Sequence, residues 1–141
     1  MARDFQPSAE WRARMDRDCG CALPAQALEA IALFNAGEYY KQHDILEALW
    51  MATESPVREL YRAILQIGIA YYHTEAGNWR GALKMLDRGL RWADLAPARC
   101  QGVDVEALRQ NARRLRRAIV EAGPGHLDRV DRALLTPVPM L

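Results

Sequence analysis

Ala36-Gly37-Glu38-Tyr39 and Ala76-Gly77-Asn78-Trp79 are two copies of one signal: a helix stop, a polar residue and an aromatic. Glycine closes a helix in the left-handed conformation without the steric penalty a side chain would add. Reading outward from each turn gives a pair of helices. Pro24–Ala36 carries Leu28, Ile31 and Phe34 at helical spacing, and Glu38–Ala52 carries Tyr39, Ile45, Leu46, Leu49 and Trp50. Thr53-Glu54-Ser55-Pro56 breaks the pattern. Val57–Ala76 is apolar nearly all round, which marks a central, buried helix. Trp79–Asp94 follows with Ala82, Leu83, Leu86 and Leu90 on one face, and Pro97 stops it. The fold class is therefore all-α, with two helical hairpins over 24–96 at its centre.

The turns are similar to those of tetratricopeptide hairpins, where glycine turns the chain and a small residue lets the helices approach. The spacing from Gly37 to Gly77 exceeds that family's repeat and only two copies occur, so the resemblance is one of local geometry. The flanks complete a compact bundle of about five to six helices in a single domain over 1–141. A peripheral segment, 1–23, has Ser8 placed to cap a helix from Ala9 to Arg17. The segment 103–141 holds a helix from Asp104 to Ala122, on which Val105, Leu108, Ala112, Leu115 and Ile119 form a seam able to dock on other helices. After Gly123-Pro124-Gly125 a last helix is expected over Leu127–Leu135. The apolar tail Pro137–Leu141 should dock in a groove of its own chain or of a neighbour.

The 141 residues are half hydrophobic and carry a formal charge of +1 from 19 basic and 18 acidic side chains. That balance gives no electrostatic reason to expect nucleic acid as a partner. No apolar run approaches the ~20 residues needed to cross a bilayer, and no membrane partner is expected. The amino-terminal stretch is too charged for a signal peptide. Three cysteines, an odd count, fit a reducing compartment, so Cys19, Cys21 and Cys100 are expected as free thiols in a cytoplasmic protein. The arginines at 109, 113, 114, 116 and 117 read as a solvated helix face, and Trp11, Trp79 and Trp92 as packing residues.

The stretch from Phe34 to Trp50, with Phe34, Asn35, Gly37, Tyr39, Tyr40, His43, Asp44, Leu46, Glu47 and Trp50 at fixed spacing, resembles the signature of the prokaryotic family numbered 309 among the domains of unknown function. Tyr61–Gln66, Tyr71-Tyr72-His73 and Gly77-Asn78 fit its second block. Gln42 stands where the family usually has alanine, and Asp44 where it usually has glutamate. The resemblance implies a compact helical fold and no particular reaction.

Tyr40, His43, Glu47 and Trp50 share one helical stripe, and Arg62, Gln66 and His73 another. The short link between these helices makes them antiparallel neighbours whose facing residue numbers sum to about 110. His43 then faces Gln66, and Glu47 faces Arg62, while His73 lies roughly 9 Å along the axis from His43. Three readings of this cluster compete. It is a closed network that sets helix pairing; a divalent-metal site of His43, Glu47 and His73; or a small-ligand pocket with His43 as a base oriented by Glu47 or Asp44. No nucleophile stands at a recognisable spacing, so no catalytic residue and no cofactor is assigned. The favoured reading is a non-enzymatic module that binds an unknown protein partner or a second copy of itself. The alternative is a ligand- or metal-binding enzyme using His43, Glu47, Gln66 and His73.

Overall fold

The computed structural model describes residues 5–141; residues 1–4 of the peripheral segment lie outside them. Six α-helices follow in order: α1 (Ala9–Cys19), α2 (Ala25–Asn35), α3 (Lys41–Ala52), α4 (Arg58–Glu75), α5 (Trp79–Ala93) and α6 (Val105–Ala122). Between α5 and α6, Arg99–Cys100 and Val103–Asp104 form a two-residue antiparallel ladder.

Local chemistry sets the boundaries. Ser8, Asn78 and Asp104 each cap a helix by accepting from the backbone N–H three residues on, at 3.0, 2.9 and 3.0 Å. Gly37 and Gly77 take φ of +84° and +76°. The following N–H reaches back across the turn in both cases, Glu38 to the Leu33 carbonyl and Asn78 to that of His73. The two hairpin turns are thus one geometry used twice.

The layers follow chain order: α2 packs on α3, α3 on α4, and α4 most extensively on α5. Leu60, Ile64, Ile67 and Tyr71 of α4 are buried at the centre. The α6 seam of Val105, Leu108, Ala112, Leu115 and Ile119 is buried too, so it is used within the chain, against α5 and the carboxy-terminal turns. Trp79 Nε1 donates to the Ile119 carbonyl at 2.9 Å, and Arg109 bridges the Ala93 and Ala96 carbonyls at the end of α5. The tail docks on its own chain. Val138 is buried, Asp104 N–H donates to the Pro139 carbonyl, and Leu141 N–H donates to that of Gly102.

Two expectations are corrected. Leu127–Leu135 is not one helix but two short 3-10 turns, Leu127–Arg129 and Arg132–Leu134. Val130 between them is extended and buried, and the Asp131 carboxylate accepts from Ala133 N–H, a local bond that competes with helix. The cysteines are not all free: Cys19 and Cys100 form a disulfide and only Cys21 is a free thiol, exposed. Packing of the Arg99–Asp104 ladder on the end of α1 brings together residues 81 apart in sequence. Gln101 cements that contact, its N–H donating to the Cys19 carbonyl at 2.7 Å and its amide to that of Asp18 at 3.0 Å. The odd cysteine count therefore loses its force as an argument for a reducing compartment. Among the described residues, no helix is long and apolar enough to cross a membrane.

Candidate functional site

The facing surfaces of α3 and α4 keep the register read from the sequence. Tyr39 meets Tyr71 with ring centroids 5.3 Å apart, and Tyr40 meets Tyr72 at 5.2 Å. At the far end Trp50 Nε1 donates to Glu59 Oε1 at 3.2 Å. The inner part of this surface is structural. Phe34, Tyr39 and Tyr71 form a triangle of edge-to-face rings. Burial pushes the Tyr39 and Tyr71 hydroxyls above their ordinary pKa, and Tyr71 is relieved in part by a bond with Thr136. Asn35 Oδ1 accepts from Val138 N–H and so holds the tail. Gln42 is fully buried, its amide donating to the Tyr39 and Leu65 carbonyls at 2.8 and 3.2 Å. It fits because residue 68 is glycine.

The outer part is different. His43 Nε2 lies 3.1 Å from Glu47 Oε2 and its Nδ1 lies 3.3 Å from Asp44 Oδ1, with both carboxylates exposed. Neither contact has hydrogen-bond geometry, and His43 Nδ1 and Gln66 Oε1, like Gln42 Oε1 on the inner part, are buried atoms without a bonded partner among the described residues. His73 stands elsewhere, with Nδ1 3.3 Å from the Asn78 amide nitrogen and its ring against Gly81. Desolvation lowers its pKa below the ordinary histidine value. Between the two histidines lie Tyr40, 6.0 Å from the His43 ring, and Tyr72, 5.6 Å from the His73 ring. His43, Tyr40, Tyr72 and His73 thus form one ribbon of rings. Its central members are 56% and 41% exposed. No group of three or more histidine, cysteine, aspartate or glutamate side chains is arranged to hold a metal among the described residues.

Arg62 does not join the ribbon, nor does it meet Glu47. It forms a bidentate pair with Glu59, at 2.8 and 2.7 Å, one turn back on its own helix. Its guanidinium lies 3.6 Å from the Trp92 ring centroid and 4.7 Å from that of Trp50. Arg58 covers Trp50 at 4.5 Å. A cleft of about 360 Å³ opens beside this assembly, bounded on the α1 side by Phe5, Trp11 and Arg14. The pairing of Trp50 with Glu59 and Arg62 was available from the register and the i,i+3 spacing. The arrival of Trp11 and Trp92 depends on how α1 and α5 pack, which no local pattern carries.

This chain is an all-helical bundle whose central hairpins present a tyrosine–histidine ribbon. Residues 27–85, from α2 into α5, match the model of the family described as "Domain of unknown function (DUF309)", in keeping with the resemblance carried by Phe34–Trp50. An uncharacterized protein of Aquifex aeolicus (strain VF5) is 25% identical over 92 residues, which cover 64% of this chain. The matched region spans 28% of that relative's length.

Proposed function

We propose that the domain is a non-enzymatic binding module that engages a protein partner through the ring ribbon His43–Tyr40–Tyr72–His73. The observation that carries the reading is the exposure of Tyr40 and Tyr72, two large side chains held ring against ring on a rigid helix pair. Tyrosine offers wide apolar contact at small entropic cost and dominates binding energy where it is buried by a partner. Asp44 and Glu47 fringe the ribbon with acid. The complementary surface is therefore an apolar patch with a lysine or arginine beside it. The polar groups beneath, Gln42 above all, act in helix pairing.

Site-specific photo-crosslinking tests this. A benzophenone amino acid replaces Tyr72, or Val120 on the far-side helix α6, in cells that make the protein natively. A discrete protein adduct is expected from position 72 and not from 120, and Tyr40→Ala should remove it. Adducts of equal strength from both positions, or none from 72, overturn the reading.

A further inference from the structure

We infer that the cleft between α1 and the start of α4 is a ligand site for a small planar anion, an aromatic body carrying one carboxylate or phosphate. This goes beyond the protein-binding reading and does not depend on it. The ribbon lies at the Tyr40–Tyr72 end of the α3–α4 pair and the cleft at the Trp50–Glu59 end, about 15 Å along α3.

Three observations carry the inference. The cleft, about 360 Å³, is of a size that takes a small molecule. Its walls are rings: Phe5 lies 5.4 Å from Trp11 and 6.3 Å from Trp92, with Trp92 backed by Arg62. Such surfaces add ring-on-ring stacking for a flat aromatic partner to the apolar burial that any nonpolar group would gain. The third is charge. Arg14, Arg58, Arg62, Glu54 and Glu59 line the cleft. Glu59 is buried and answered by Arg62 in a bidentate pair, which removes both from the balance. Among the described residues that line the cleft, Arg14 and Arg58 then face Glu54 alone, which leaves net positive charge on that lining. Arg58 is also pre-oriented. Its Nε donates to the Trp50 carbonyl at 3.2 Å while the guanidinium stacks on the Trp50 ring. No hydrogen bond from its two terminal nitrogens occurs among the described residues, so they can take the forked geometry that carboxylate and phosphate accept.

The tryptophans supply the test. Indole N–H resonances of Trp11 and Trp92, which line the cleft, report on it, and that of Trp79, bonded to the Ile119 carbonyl on another face, is an internal control. The full chain is titrated with indole-3-acetate, adenosine 5′-monophosphate and the cation tryptamine, followed by ¹H–¹⁵N NMR and calorimetry. Saturable shifts of the Trp11 and Trp92 signals with one or both anions, with Trp79 unmoved, are expected. The acetate and nucleotide arms separate carboxylate from phosphate as the preferred head. Arg58→Gln should weaken binding about tenfold. Arg14→Gln should do likewise, and it leaves the start of α4 untouched should Arg58→Gln fail to fold. No saturation by either anion at millimolar concentration overturns the inference. So does tryptamine binding as well as the anions, or affinity unchanged in both arginine variants.

Discussion

A side chain at position 68 would place its Cβ 2.9 Å from Gln42 Cδ and 3.0 Å from Phe34 Cε2. The buried glutamine amide occupies the space that Gly68 leaves open, and the pair fixes how closely α3 approaches α4. Gly68→Ala should therefore destabilise the fold by about 1–3 kcal/mol, although alanine is the better helix former. In a Gln42→Ala background the amide no longer obstructs and only Phe34 must yield. The cost of Gly68→Ala should then fall by about 1 kcal/mol or more. Urea unfolding of the four proteins in the cycle measures the coupling, and additive costs would refute the packing relationship.

The same pair shows how far the sequence was legible. Helix positions, caps and the α3–α4 register follow from local periodicity and from the two glycine turns, because each depends on residues within a few turns of one another. Gln42 reads only as a departure from the usual alanine; its burial requires knowing that Gly68 faces it. Arg62 was expected opposite Glu47 because the register brings them near. Glu59, one turn away on the same helix, meets its guanidinium at less conformational cost. The Cys19–Cys100 bridge and the Trp11–Trp92 cleft join segments remote in sequence, and neither periodicity nor spacing encodes such meetings.

The disulfide closes a loop across 81 residues of sequence, so its main effect is on the unfolded chain. The chain-entropy argument gives about 4.5 kcal/mol for a loop of this length. Reduction should lower the melting temperature markedly while leaving the helical circular dichroism of the native state unchanged. Cys21→Ser should melt like the parent under oxidising conditions, since Cys21 is exposed and outside the bridge. An unchanged melting temperature on adding reductant would show that the bridge contributes nothing.

His73 gives the fold a pH dependence of defined sign. Burial favours its neutral ring and lowers its pKa below the ordinary 6.5. Between that lowered value and 6.5 the unfolded chain binds more protons than the native one. The contribution of His73 is therefore full above 6.5 and is lost as the pH falls through that window. Stability measured from pH 7 to pH 5 should fall less steeply in His73→Gln than in the parent. An NMR titration of the ring protons supplies the independent check, and a His73 midpoint at or above 6.5 contradicts the argument.

Asn35 ties the first hairpin turn to the carboxy-terminal tail by accepting from Val138 N–H at 2.9 Å. The tail has two further bonds, from Asp104 N–H to the Pro139 carbonyl and from Leu141 N–H to that of Gly102, and Val138 itself is buried. Asn35→Ala leaves one buried donor unanswered and should cost about 1 kcal/mol. Removing residues 136–141 should cost more, because it also uncovers the Val138 pocket, strips Tyr71 of its Thr136 partner and frees Asp104 N–H. Hydrogen exchange separates the two effects. In Asn35→Ala protection should drop at Val138 while Asp104 stays slow, whereas truncation should accelerate Asp104 directly. Equal protection at Val138 in parent and Asn35→Ala would mean that the tail is held by its burial alone.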